Sequence, residues 1–426
     1  MTATPPTASP SQRLRHPSVS STTSAGARAR VAKQILRLAT RSVPVDIALP
    51  DGGLLTGRDT SDRNDPRIDL HRPGAFYTRL ADSPKIGIGE GYTAGDWSAA
   101  EGSDLADVLA PFAERLASLL PDWLVRMRRL VDQPIPDDQQ GAVEHTQDNI
   151  AAHYDLSNEM FAAFLDPSMS YSSALFDPDR PLAEQDLQEA QLRKVDAALD
   201  LARVGPGTEL LEIGTGWGTL AIQAALRGAR VTTVTLSVEQ AAWAQERIEF
   251  AGLSGRIDVV VQDYREVTGR YDAVVSVEMI EAVGERYWPE YFATLSRLLR
   301  RGGTVGLQAI VMTHPRYLAT RHSYGWIQKH IFPGGLIPSQ TAIAEHAARA
   351  GLTVTRSDRF GQDYAETLRR WRADFLSAWP AIGSEHFGED FRRTWEFYLA
   401  YCEAGFRTGY LDVAQLRLEP VDRGSA

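Results

Sequence analysis

Three glycines within five residues, Gly214, Gly216 and Gly218, interrupt an apolar run at 209–213. Glycine there lets the backbone turn sharply and approach a ligand that a Cβ would exclude. The Ala- and Leu-rich stretch 219–226 is helix-compatible, so the turn opens the first strand–turn–helix unit of a nucleotide-type site. After the next apolar run come Thr235, Ser237 and Gln240. A nicotinamide enzyme sets an Asp or Glu there for the ribose hydroxyls. Hydroxyl and amide groups instead bind a ribose or an amino-acid moiety through neutral hydrogen bonds. A third group, Asp263, Tyr264 and Arg265, offers a carboxylate to an adenine amino group and a ring to pack on the base. A fourth, running from Ser276 to Gly284, holds Glu278 and Glu281 at a spacing that fits one helical face.

These groups need strand ends converging on one point. Strands are predicted at 209–213, 231–236, 257–261, 273–276 and 304–310, with helices between them that include 238–251 and 285–299. Such alternation predicts an α/β fold, a mostly parallel sheet with helices on both faces and the ligand at the carboxyl ends of its strands. Upstream, Val45 to Leu49 followed by Asp51-Gly-Gly reads as a strand and hairpin turn, and 105–130 as a helix interrupted at Pro121. The Pro- and Gln-rich stretch 133–144 has the composition of a linker. Four segments are therefore expected: a basic tail with a short amphipathic helix (1–42), a smaller α+β domain (43–132), the linker, and the α/β domain (145–426).

A chain of 426 residues with 43% hydrophobic and 23% charged residues suits two globular domains plus tails. A net charge of −10 argues against general nucleic-acid binding. Cys402 is the single cysteine, which fits a reducing cytosol. No apolar run approaches the roughly 18 residues of a membrane span, and no apolar signal segment is seen at the N-terminus. No acidic residue precedes Asp46, while 13–41 carries seven Arg or Lys residues. The stretch 27–41 is either a solvated tail ending in a docking helix or a basic amphipathic segment for anionic lipid headgroups, each cation near the surface contributing about 1 kcal/mol.

The ordered set HYDLSNEMFAAFLDPSMSYSSALF (153–176), LLEIGTGWGTLAI, VTTVTLSVEQ, SVEMIEAVG, IFPGGLIPS (331–339) and DYAETLRRW (363–371) resembles the cyclopropane fatty acid synthase family over roughly 145–415. IGIGEGYTAGDW (86–97) resembles the additional lipid-binding domain of its longer bacterial members. The resemblance implies a class I methyltransferase fold with a seven-stranded sheet, and S-adenosylmethionine as methyl donor to the double bond of a phospholipid acyl chain. It also implies that Tyr171 and Ser172 close over the donor and that Gly214, Gly216 and Gly218 line its methionine part. Thr235, Ser237 and Gln240 would sit at the ribose and amino acid, and Asp263, Tyr264 and Arg265 at the adenine.

In this family the carbocation left by methyl transfer is deprotonated by a bound bicarbonate. Its ligands map onto Glu281, Tyr364 and the backbone of Ile310, with Ser173 where relatives carry Cys and Gln308 where they carry His. Glu281 is favoured over Glu278 as the functional carboxylate. Gln308 cannot titrate, so it cannot shuttle a proton. His153, Tyr154 and Asp155 serve either a capping network or the site. Tyr317, Tyr324, Trp326, Ile327, Ile331, Phe332 and Leu336, interspersed with Arg316, Arg321, Lys329 and His330, read as an apolar acyl entrance rimmed by cations or as an ordinary core edge. No metal is called for.

Direct ring closure of the cation gives a cyclopropane. A hydride shift before proton loss gives a methylene branch, which a partner reductase, flavin-dependent by analogy, turns into a methyl branch. The Ser173 and Gln308 variants resemble actinobacterial enzymes of the second kind, which make 10-methylene stearoyl precursors of tuberculostearic-type acids. The composition implies a cytoplasmic enzyme, and the expectation is that it binds peripherally to anionic membrane as a homo-oligomer or hetero-complex. The competing readings are a cyclopropane synthase, an inactive lipid-binding scaffold and a small-molecule C-methyltransferase.

Overall fold

The computed structural model describes residues 43–55, 65–115 and 158–421, with seven further positions between 30 and 40. The tail before 30, the linker, His153 to Asp155 and the part of the predicted 105–130 helix beyond Arg115 lie outside the described residues.

Two compact units emerge. The first comprises the described residues of Met1–Gln133 with Tyr324–Ile331 and Leu368–Thr408; the second comprises the remainder. Segments 324–331 and 368–408, assigned from sequence to the α/β domain, therefore group in space with the N-terminal residues.

In the first unit, strands β1 (Asp46–Ala48), β2 (Arg67–Leu70) and β3 (Trp97–Ala99) form a small sheet in that order. The expected turn follows β1: Leu49 N–H donates to Gly53 O at 2.8 Å, and Ala48 bridges Leu54. The glycines of IGIGEGYTAGDW serve close packing. On helix Pro84–Thr93, a Cβ at Gly87 would stand 2.3 Å from the Arg79 carbonyl, and one at Gly89 would stand 2.4 Å from the Trp326 indole. The basic segment is partly docked, since Ala32 and Thr40 are buried.

The second unit holds the predicted sheet. Strands β4 (Glu209–Ile213), β5 (Arg230–Thr235), β6 (Ile257–Val261), β7 (Tyr271–Val277), β8 (Leu299–Val311), β9 (Leu352–Arg359) and β10 (Asp412–Pro420) lie in the order β6-β5-β4-β7-β8-β10-β9. Pairs from β6 to β8 are parallel, and β10 runs antiparallel to both neighbours. Successive strand residues point to opposite faces. Leu211, Val274 and Val305 accordingly join one buried cluster, and Leu210, Ala273 and Val275 the other. Because helices cover both faces, these strands read as continuous apolar runs. The chain leaves β4 toward β5 on one side and β7 on the other, which makes the carboxyl end of β4 the switch point where a ligand binds. The predicted helix 285–299 is divided: Pro289 falls in the first turn of helix Trp288–Leu298, and a 3₁₀ turn at Glu285–Tyr287 precedes it.

Candidate functional site

At the switch point the turn after β4 takes φ of 99° at Gly214, 51° at Gly216 and 87° at Gly218, all left-handed. A Cβ at Gly216 would meet nothing within 4 Å, so its backbone borders open space. That space is a cavity of about 210 Å³ in the second unit, lined by the turn and by the ends of β5, β6 and β7.

The expected donor residues divide in two. Tyr171, Ser172, Gly214, Gly216, Thr235, Gln240, Asp263, Tyr264 and Arg265 line the cavity. Gly218 and Ser237 do not. Gly218 packs against helix Val238–Phe250, where its Cβ would lie 3.1 Å from that of Ala244. Ser237 caps the same helix, its Oγ accepting from Gln240 N–H at 3.1 Å. Both residues shape the site without facing the cavity.

Each lining side chain is held in place. Thr235 Oγ1 donates to Gln240 Oε1 at 3.3 Å. Asp263 Oδ1 accepts from Arg265 N–H and Nε–H, both at 2.9 Å. Burial would lift the Asp263 carboxyl, but the Arg265 hydrogen bonds win and hold it below its usual range. Tyr264 meets Tyr291 edge-on, ring centroids 5.6 Å apart. Tyr171 meets Phe161 edge-on at 5.1 Å. Its segment is tied to the glycine turn by Arg247, whose guanidinium donates to Ser168 O at 3.1 Å and Trp217 O at 2.7 Å.

Sequence reading missed two buried charges on the cavity wall, Glu212 and Lys194. Burial raises the Glu212 carboxyl and lowers the Lys194 ammonium, each shift opposed by the other's charge. Lys194 Nζ donates to Ser172 Oγ at 2.6 Å. Glu212 Oε2 is buried without a hydrogen-bond partner. A buried acceptor left open costs about 1–3 kcal/mol unless a ligand satisfies it, and a cationic group would. Glu212 was legible in part, as the acidic residue two positions before the glycine turn.

The expected bicarbonate ligands converge on a different centre. Glu278 follows β7 in a left-handed backbone conformation, φ 49°, which costs about 1–3 kcal/mol for a non-glycine residue. Its carboxylate lines the cavity. Oε1 accepts from Ser173 N–H at 3.0 Å and Gln308 Nε2 at 2.8 Å, and Oε2 accepts from the Tyr364 hydroxyl at 2.7 Å. Gln415 Nε2 donates to Gln308 Oε1 at 3.0 Å, which fixes the amide with its NH₂ toward Glu278. Burial, partly offset by these bonds, raises the Glu278 carboxyl.

Glu281, favoured from sequence, lies apart from that ring. It sits in the short helix Ile280–Val283 and accepts from Ile310 N–H, with Oε2 buried and unpartnered. Burial, and next the charge of Glu278, push it up to about 8. Left-handed backbone at 278 keeps the two glutamates off a common helical face.

Bicarbonate does not fit the residues present. Two of its expected donors, the Gln308 amide and the Tyr364 hydroxyl, are already given to Glu278, Ile310 N–H is given to Glu281, and the Ser173 hydroxyl donates to Ala174 O at 2.9 Å. A further anion would also face two carboxyl groups.

The cations expected at an acyl entrance are engaged. In the second unit Arg321 pairs with Glu285 at 2.8 Å, and Arg316 donates to Tyr410 O at 2.9 Å. In the first, Lys329 and His330 reach Glu90 at 2.6 and 3.1 Å. The aromatic belt divides likewise. Tyr317 packs on Trp288 in the second unit, while Trp326 packs on Phe397 in the first. Among the described residues, no helix is long and apolar enough to cross a membrane.

Residues 142–416 match the family model of mycolic acid cyclopropane synthetase. Tuberculostearic acid methyltransferase UfaA1 of Mycobacterium tuberculosis is 46% identical over 398 residues, 92% of this chain and 92% of the relative. Cyclopropane-fatty-acyl-phospholipid synthase of Escherichia coli K12 is 32% identical over 345 residues, 80% of this chain and 85% of the relative. Among solved structures, cyclopropane synthase MmaA2 from Mycobacterium tuberculosis matches with a TM-score of 0.58 at 30% identity, covering 64% of this chain and 97% of that one. Mycolic acid cyclopropane synthase CmaA1, complexed with SAH and CTAB, matches at 0.57 and 32% identity with the same coverage.

Proposed function

Because the chain belongs to the mycolic acid cyclopropane synthetase family and is an S-adenosylmethionine-dependent methyltransferase, we propose that it methylates the double bond of a monounsaturated acyl chain in membrane phospholipid and leaves a mid-chain methylene branch. The branch is of the 10-methylene stearoyl type, reduced to a 10-methyl group by a flavin-dependent partner. The observation that carries the donor half is the cavity at the β4 switch point, where an open glycine cradle meets an unsatisfied buried carboxylate. The acyl half is supported by the 46% identity with tuberculostearic acid methyltransferase over 92% of both chains.

The residues fit the donor. Glu212 would hold its ammonium, Thr235 and Gln240 its ribose and the rest of its amino-acid part, Asp263 the adenine amino group and Tyr264 the base. When bound, S-adenosylmethionine supplies a sulfonium methyl electrophilic enough for an isolated alkene. With donor and acyl chain in place, water would be displaced from the cavity, so that the cation formed on the acyl chain would not be quenched by it. The Tyr171 ring on the wall would stabilise positive charge through its face.

The enzyme acts at an anionic membrane surface, and the basic segment around Arg30, Lys33 and Arg37 is the proposed contact. Incubation with methyl-labelled S-adenosylmethionine and vesicles of oleoyl phospholipid tests the whole reading. Vinylidene protons on the labelled lipid are expected by NMR. High-field cyclopropane protons would overturn the branch assignment, and unlabelled lipid would overturn the substrate.

A further inference from the structure

We infer that Glu278 is the proton acceptor of this enzyme, its side-chain carboxylate standing where relatives place a bicarbonate ion. The inference rests on the methyltransfer proposed above and deepens it. A carboxylate and a bicarbonate present the same planar pair of anionic oxygens to hydrogen-bond donors. Here the Ser173 amide, the Gln308 amide and the Tyr364 hydroxyl all donate to Glu278, at 3.0, 2.8 and 2.7 Å. Oε2 takes only one of these bonds, which leaves it acceptor capacity, and the group borders the same cavity as the glycine turn.

Three further observations agree. Gln308 has lost the capacity to titrate that a histidine would have, and its amide is locked by Gln415, itself donating to Lys194 O at 3.1 Å. The ring thus orients a carboxylate without supplying protons. The left-handed backbone at Glu278, held by its N–H donating to Gln308 O at 2.8 Å, is an unfavourable conformation kept at a cavity wall. Glu281 lies outside this ring, accepting from Ile310 N–H, and is not among the residues that line the cavity, which makes it the weaker candidate.

The step balances. The methyl carbon bonds to one alkene carbon as its S–C bond breaks, and the sulfonium becomes a neutral thioether. A hydride shift moves the cation to the methyl-bearing carbon. That methyl group then gives a proton to Glu278 Oε2, the C–H electron pair forms the exocyclic double bond, and the carboxylate becomes a neutral acid. The proton passes to solvent when the product leaves.

Glu278→Gly is the decisive variant, because glycine accepts the left-handed backbone and opens room for a small carboxylate. It is expected to stay folded but to melt several degrees below the parent, because three donors lose their acceptor while the backbone strain is relieved, and to bind S-adenosylmethionine with unchanged affinity by calorimetry. Its turnover on oleoyl phospholipid vesicles should fall about 100-fold. Formate, and bicarbonate likewise, should restore at least about a tenth of the parent rate. Glu278→Gln should lose turnover without rescue, since its amide still fills the space. The parent in carbonate-stripped buffer should run at full rate, unchanged when bicarbonate is added. A parent rate that rises with bicarbonate, or a Glu278→Gly variant that retains turnover or fails to be rescued, would overturn the inference. A parent that transfers no methyl group to lipid under any condition would instead overturn the proposed function.

Discussion

In the first unit Glu403 is 1% exposed and lies 2.8 Å from the Arg372 guanidinium, which also grips Asp104 through two bonds of 2.9 Å. Asp96, fully buried, is likewise met by Arg72 and Arg79, each at 3.0 Å. In the second unit Glu212, Glu278 and Glu281 line or approach a cavity with neutral donors or none at their oxygens. Arg372 is a planar donor that neutralises two acids at once, a structural use of charge. No guanidinium reaches the oxygens of these three glutamates, and burial raises all three; burial raises Glu403 too, against the pull of Arg372, so the two units differ in the partners of their acids rather than in the direction of the shift. Buried carboxyls with open or neutrally bonded oxygens at a cavity are poised to bind a cation or take a proton, whereas those gripped by guanidinium groups hold elements together.

The sharpest way to break that contrast is to remove one partner from each side. Arg372→Leu strands Glu403 with only the longer contact from Arg407, at 3.4 Å, and should cost about 3–5 kcal/mol. Thermal or denaturant unfolding reads it, and a loss below about 1 kcal/mol would mean the pairing carries no structural weight. Glu212→Gln should behave oppositely. Stability should change by less than about 1 kcal/mol, because the buried charge lost at Glu212 offsets the counter-charge lost to Lys194, while the dissociation constant for S-adenosylmethionine rises about 10- to 100-fold by calorimetry. Unchanged affinity would remove Glu212 from the donor site.

The two halves of the cavity differ in how legible they were. The donor half is written locally: Gly214, Thr235 and Asp263 each follow one strand within a few residues, and the βα rhythm alone aims them at one point. The sheet was readable for the same reason, since runs buried on both faces advertise themselves. The Glu278 ring is assembled by topology. Its contacts span 105, 30 and 86 residues, and no local pattern joins Ser173, Gln308 and Tyr364 to it. The spacing of Glu278 and Glu281 suggested one helix face because nothing in the text marks a glutamate in left-handed backbone. The regrouping of 324–331 and 368–408 was hidden for a related reason, since contiguity in sequence was taken as contiguity in space. Lys194 and Arg247 had no motif at all; each is an ordinary cation on an amphipathic helix until the fold buries it.

Smaller effects sharpen the contrast further. Gly218 shapes the turn without touching the cavity, so Gly218→Ala should lower stability by about 1–2 kcal/mol through its positive φ and the close approach to Ala244. Donor affinity measured on the folded fraction should stay near the parent value. A large affinity loss with full stability would place Gly218 in direct contact with the donor after all.

The last expectation concerns Glu281, the acid that sequence favoured, which accepts from Ile310 N–H apart from the Glu278 ring. Its carboxyl is raised from about 4.5 to about 8 by burial and by the charge of Glu278. Folded protein thus holds this proton more tightly than unfolded chain does. Below about pH 4.5 both states are protonated, and the group contributes no pH dependence. As pH rises toward 8 the unfolded chain ionises first, so folding stability falls across that window and levels off above it. Glu281→Gln keeps an oxygen to accept from Ile310 N–H and carries no charge. Its melting temperature should equal the parent's at pH 4.5 and exceed it by a few degrees at pH 8.5. Turnover should drop about tenfold or less, well short of the loss at Glu278→Gly. In the Glu278→Gly background the pH-dependent gain should shrink, because the like charge that helps lift Glu281 is gone. A melting difference that is the same at every pH, or a turnover loss larger than that of Glu278→Gly, would reverse the roles of the two glutamates.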